Sequence, residues 1–203
     1  MQPANQPDRL DKEAINALPL RAYEGPIRLI CDSRECQEAM AELSTETALG
    51  FDTETQPAFK RGRHYPPALL QLAGTDTVYL FQLSRIGLLP ELCSLLARAD
   101  ILKAGVGVQQ DLAELRQVRE FTPQGFVNLA RIASKAGLKN QGLRGLTALL
   151  LGFRISKGAR TSNWGRQELS LKQLTYAATD AWVGREIFFA LRRRYPHLFT
   201  GLR

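Results

Sequence analysis

Asp52 and Glu54 stand two residues apart in Ala48-Leu49-Gly50-Phe51-Asp52-Thr53-Glu54, a run that reads as a β-strand. Side chains alternate across a strand, so both carboxylates share a face with Ala48 and Gly50, while Leu49 and Phe51 take the other. Like charges at that spacing raise each other's pKa, and burying them is costly. A hard divalent cation such as Mg²⁺ or Mn²⁺ removes both penalties, because it prefers carboxylate oxygens. The competing reading is an exposed strand end with two solvated acids. Tyr176 and Asp180 are four apart within a long apolar helix and therefore share a face one turn apart. An acid there wants a partner, either a cation or a neighbouring arginine. Asp111 follows Gly105-Val106-Gly107-Val108-Gln109-Gln110 near the start of another helix, where an acid also suits the macrodipole. Those glycines do not make a dinucleotide fingerprint, since the third glycine of G-x-G-x-x-G would fall on Gln110, and no Walker A sequence occurs.

The elements around these residues point to a mixed sheet. Pro26–Ile30 reads as a short strand, Ser33–Leu43 as a helix and Ala48–Glu54 as a strand. Ala68–Ala73 and Val78–Leu83 form a hairpin around Gly74-Thr75-Asp76-Thr77. A helix over Pro90–Ala99, a strand over Ile101–Gly105 and a helix over Gln109–Val118 follow. Asn128–Lys135, Gly145–Leu151 and Leu171–Arg193 then read as helices, with a basic loop over Arg154–Glu168. Ser170-Leu171-Lys172-Gln173 matches the capping box, in which Ser and Gln each satisfy an orphan backbone donor. Consecutive strands suggest antiparallel pairing and strand–helix alternation suggests parallel pairing, so the fold class is α/β, a mixed sheet flanked by helices.

Residues 1–24 read as an N-terminal tail or loosely attached arm, and residues 25–203 as one domain. No apolar run approaches the roughly 18 residues of a membrane span, and no secretory signal opens the chain. Three cysteines at unpatterned spacing fit neither a disulfide framework nor structural zinc, which points to a reducing, cytoplasmic setting. Charge is unevenly distributed. Residues 131–203 hold 14 Lys and Arg against three Asp and Glu, whereas residues 1–130 hold 13 against 17. A one-sided positive field suits a polyanion, nucleic acid above all, with a merely solubilising surface as the alternative.

Taken together, the motifs resemble the four-carboxylate 3′–5′ exonucleases of the ribonuclease D and Werner-type group. They are Leu49–Glu54, Ala68–Ala73, Lys103–Leu112, Gly142–Leu146, Ser162-Asn163-Trp164 and Gln173–Ala181, and the resemblance spans roughly residues 27–192. It is to the tyrosine subclass, because the histidine subclass would place His where Thr175 stands. Two departures are Glu168, where Werner-type members carry Pro, and Asn128, where many carry Asp. The second is expected to weaken a contact behind the acids.

The resemblance implies a ribonuclease H-like fold and hydrolysis with two divalent cations, Mg²⁺ or Mn²⁺, releasing nucleoside 5′-monophosphates from a single-stranded 3′ end. In that scheme Asp52 bridges both ions, Glu54 and Asp180 complete the site that activates water, and Asp111 helps hold the second ion. Tyr176 orients the water; with an ordinary pKa near 10 it is a poor base at neutral pH. Lys60, Arg61 and Arg63, and Lys157, Arg160 and Arg166, are expected to grip phosphates. Trp164 is either a base-stacking platform or, the stronger reading, a core anchor. The Werner-like Ser162-Asn163-Trp164 tilts the substrate slightly toward DNA over RNA. The alternative function is a nucleic-acid-binding relative with little activity.

Overall fold

The structure, a computed structural model, describes residues 7–57, 62 and 64–201. Its elements run α1 (Lys12–Ala17), β1 (Ile27–Ile30), α2 (Ser33–Leu43), β2 (Ala48–Thr55), β3 (Pro67–Ala73), β4 (Val78–Phe81) and α3 (Leu83–Ile86). They continue with α4 (Pro90–Leu96), β5 (Leu102–Gly105), α5 (Val108–Val118), β6 (Phe126–Asn128), α6 (Leu129–Lys135), α7 (Leu143–Leu151) and α8 (Leu171–Arg194). A 3₁₀ turn at Pro196–Phe199 follows. The strands form one mixed sheet in the order β1-β4-β3-β2-β5-β6. β2–β3 and β3–β4 are antiparallel, and β1–β4, β2–β5 and β5–β6 are parallel. β2 is central, and α8 lies across it.

Alternation along β2 divides the core. Leu49 and Phe51 join Leu70 and Leu72 of β3 against α2, α4 and α5. The opposite face meets α8 through small residues. A Cβ on Gly50 would lie 1.9 Å from the Ala181 carbonyl oxygen, and one on Gly184 would lie 3.1 Å from that of Ala104. Backbone thus rests almost directly on backbone, with Ala177, Ala178 and Ala181 buried along the contact. Arg185 locks the arrangement, donating to the Ala48 carbonyl (3.1 Å) and the Thr75 hydroxyl (2.6 Å). The capping box at Ser170 and Gln173 is formed and fixes where α8 begins.

On the other side of the sheet, α4 has no glycine at its C-terminus. The amides of Ala97 and Arg98 close it on the Cys93 and Leu95 carbonyls, and the fully buried Lys103 of β5 supports that end, its Nζ donating to the carbonyls of Arg98 (2.6 Å), Ile101 (2.8 Å) and Leu95 (3.5 Å). Burial lowers the pKa of this lysine to about 8.

The fold departs from the sequence expectations in three places. β6 takes two residues to which the sequence assigns no element, together with Asn128, the expected start of a helix; three residues are too few to show alternation. A short helix, α3, follows β4, which ends at Phe81 rather than Leu83. Residues 7–24 are docked rather than loose. Leu10 exchanges two hydrogen bonds with the Asn140 side chain, the Lys139 amide donates to the Asp8 carbonyl, and Arg154 pairs with the backbone of Pro19 and Arg21. The Tyr23 amide donates to Thr179 of α8, and Ile15 is buried.

Candidate active site

The close approach of α8 to β2 brings the acids together. Asp52 and Glu54 project from the α8 face of β2, and Asp180 is 7% exposed on the helix above them. Asp111 enters from α5, whose N-cap Gly107 adopts φ 78°, a conformation that glycine tolerates best. The Thr53 hydroxyl donates to Asp111 Oδ1 at 2.5 Å, and the Thr53 amide donates to Asp52 Oδ1 at 3.0 Å. One residue of β2 thus orients carboxylates from two elements. The β-bulge between Glu54 and Thr55 ends regular pairing just past the acids.

Among the described residues, these carboxylates have little positive charge to answer them, Arg160 being the one cation that opposes the rise of Glu54. Burial first, then the charges of Asp180 and Asp111, hold Asp52 well above the usual carboxylate range, against the pull of the Thr53 amide. Burial and the neighbouring acids, Asp52 foremost, push Glu54 up to about 9, with Arg160 opposing. Burial raises Asp180 to about 7 although the Tyr176 hydroxyl donates to it. Burial also raises Asp111, against its hydrogen bond from Thr53. Burial and Asp180 raise Tyr176 above its ordinary value, so the phenol keeps its proton at neutral pH.

Oxygen donors in mutual repulsion are the chemistry that a hard divalent cation answers. Gln71 faces Asp52 across β2–β3, is fully buried, and has neither amide atom hydrogen-bonded among the described residues. Its orphaned polar atoms fit a hydrated ion nearby. The donor set fits Mg²⁺ or Mn²⁺ in type, although no three His, Cys, Asp or Glu side chains among the described residues are drawn together as a ready-made cage.

Asn128 accepts from the amides of Ala130 and Arg131, capping α6, and donates to Gln109 on the helix that carries Asp111. Asparagine supplies this bridge with its amide nitrogen, which aspartate lacks. In the loop that leads to Glu168, Gln82 donates to the carbonyls of Arg166 and Gln167.

Of the basic residues, Lys157 and Arg160 line a cleft of about 1150 Å³ together with Tyr176 and Asp180. Arg166 lies elsewhere, on a separate pocket of about 270 Å³ with Lys172 and Gln173. Lys60, Arg61 and Arg63 lie outside the described residues. Trp164 takes the core-anchor place, the stronger of its two readings: it is fully buried against β3 and α8, with its ring centroid 6.1 Å from that of Tyr176. It can anchor the loop beneath Tyr176 but cannot receive a base. Sequence reasoning missed Thr53 and Gln71. Thr53 lies between the two acids, and Gln71 is a polar residue in an otherwise apolar strand; either position was a usable signal.

The 3′–5′ exonuclease family model matches residues 27–195, and the chain belongs to that family. It is 32% identical over 181 residues to the bifunctional 3′-5′ exonuclease/ATP-dependent helicase WRN of Mus musculus, covering 84% of this chain but only 13% of that protein's length. Its fold is similar to the Nibbler EXO domain of Aedes aegypti, with a TM-score of 0.78, 25% identity and coverage of 90% of this chain and 94% of that one. Ribonuclease D from Trypanosoma brucei, solved in complex with RNA U12, shares the fold with a TM-score of 0.71 at 18% identity, over 84% of this chain and 62% of the other.

Proposed function

We propose that the protein is a metal-dependent 3′–5′ exonuclease that hydrolyses the terminal phosphodiester bond of a single strand and releases nucleoside 5′-monophosphates. The observation that carries this reading is the convergence of Asp52, Glu54, Asp111 and Asp180 beside Tyr176, with almost no cationic partner among the described residues. Asp52, at the centre of the four, would hold both of two cations, Mg²⁺ or Mn²⁺. Glu54 and Asp180 would share one, and Asp111, oriented by Thr53, the other. When bound, such ions lower the pKa of the attacking water and offset charge on the attacking and leaving oxygens. Tyr176 keeps its proton and therefore acts as a donor that orients water or phosphate, not as a base. Lys157 and Arg160 would hold the substrate's phosphates in the adjoining cleft.

The slight lean toward DNA loses its footing. Trp164, which anchors that motif, is sealed in the core, and a ribonuclease D of the same fold is solved with RNA. Single-stranded DNA and RNA are therefore both proposed substrates. The test is a 5′-labelled oligonucleotide of either sugar, incubated with Mg²⁺ or Mn²⁺. A ladder of shortening products that needs the metal and vanishes in Asp180→Ala is expected. Binding without a ladder would instead favour a nucleic-acid-binding relative with little activity.

A further inference from the structure

The cleft that holds Tyr176 and Asp180 is not built by the family domain alone. Its opposite wall is the N-terminal arm, Asp8–Glu13 with Ile15, which precedes the start of the family match at residue 27. The arm is held in place by its neighbours. Asn140 brackets Leu10, Lys139 holds Asp8 by its backbone, and the Arg144 guanidinium donates to Asn16 (2.6 Å). Farther along, Arg21 and Ala22 line a second pocket of about 380 Å³ that shares Tyr176 and Ser156 with the cleft. The arm therefore reaches both flanks of the tyrosine.

The cleft carries charge of both signs, with cations in the majority. Arg9 and Lys12 from the arm face it together with Lys139, Arg144, Lys157 and Arg160. The acids there are Asp8, Asp11, Glu13 and Asp180, and Asp11 is engaged as the N-cap of α1. Among the described residues, Arg9, Lys12, Lys139 and Lys157 form no ion pair. Unpaired cations lining a cleft that also holds Asp180 suit the phosphates of a strand. A volume of about 1150 Å³ exceeds the roughly 300–1,000 Å³ of a small-molecule pocket, which leaves room for more than the reacting nucleotide.

We propose that the arm is a substrate-binding wall, with Arg9 and Lys12 holding the phosphates of nucleotides that adjoin the reacting one on a single strand. The idea rests on the exonuclease reading for the identity of the strand, and binding tests the two separately. Anisotropy of a fluorescent 12-mer and of a dinucleotide would be measured in EDTA with the full chain, its Arg9→Glu/Lys12→Glu variant, and Arg34→Glu on the far face as control. Both arm positions are exposed, and unchanged melting would show that the fold is intact.

The arm variant should bind the 12-mer about tenfold or more weakly and the dinucleotide less than twofold more weakly, with Arg34→Glu unaffected. Its salt slope should be shallower by about 1.4, at about 0.7 per lost phosphate contact. Equal affinities of parent and arm variant for the 12-mer would overturn the proposal. So would equal losses for both lengths, or no binding of the 12-mer by the parent. A parent that binds but does not cleave with Mg²⁺, while the arm variant is still tenfold weaker, upholds the arm and sinks the exonuclease reading. A parent that cleaves while the arm variant binds equally well does the reverse.

Discussion

Asp52, Glu54 and Asp180 repel one another in a site that burial has largely stripped of water. Unfolded, Glu54 and Asp180 would titrate at their ordinary 4.5 and 3.8, whereas folded and without a cation they titrate near 9 and 7. Between about pH 4 and 9 the folded chain therefore holds protons that the unfolded chain has shed. Stability contributed by these groups is complete below pH 4 and is lost as pH rises through that window. In EDTA the melting temperature should fall from pH 5.5 to pH 8.5, and Mg²⁺ or Mn²⁺ should restore it. A flat profile would remove the electrostatic argument. Asp52→Asn relieves the crowding. It should melt higher than the parent in EDTA at pH 8, by about 2–4 °C per kcal/mol recovered, yet gain nothing from added cation and lose activity. Tyr176→Phe keeps the ring against Trp164 and deletes the hydroxyl that reaches Asp180. A fall in kcat of about 10²-fold, as misplacement of a reacting group costs, is expected with KM nearly constant; an unchanged kcat would refute the orienting role.

At the scale of elements, the contact between α8 and β2 decides whether the acids meet. Gly50→Ala would drive a methyl into the Ala181 carbonyl. Overpacking of this kind costs about 1–3 kcal/mol, and a shift of Asp180 away from Asp52 should lower activity further at temperatures where the variant is still folded. Denaturant melts and rate measurements on the same sample separate the two effects. The same contact explains what could be read in advance. The shared face of Asp52 and Glu54 follows from local alternation, and the turn joining Tyr176 to Asp180 from helical spacing, so both were legible. The stacking of helix on strand at Gly50, Ala181 and Gly184 is non-local, and no period marks it. β6 is too short to signal itself. The docking of the arm runs largely through backbone groups, including those of Asp8, Leu10 and Pro19, which every residue carries.

For the molecule as a whole, the excess of 11 positive charges in residues 131–203 is concentrated in the part of the chain that supplies Lys139, Arg144, Lys157 and Arg160 to the cleft. If four such phosphate contacts form beside the two of the arm, log K for a single strand should fall against log salt with a slope of about −4. A slope near zero would mean that these cations only keep the protein in solution.

Lys103 couples two parts of the molecule that might otherwise open independently. Its ammonium is the shared stopper for three carbonyls around the end of α4, and it is carried by a strand paired directly to β2. Freeing the end of α4 would take the Leu95 and Arg98 carbonyls from the ammonium and leave it buried with the Ile101 carbonyl. Amide hydrogens at Leu96 and Ala97 should therefore exchange with deuterium as slowly as those of β5, as one cooperative unit. Lys103→Met should split that unit, so that the end of α4 exchanges early while the strand that flanks the acids stays protected.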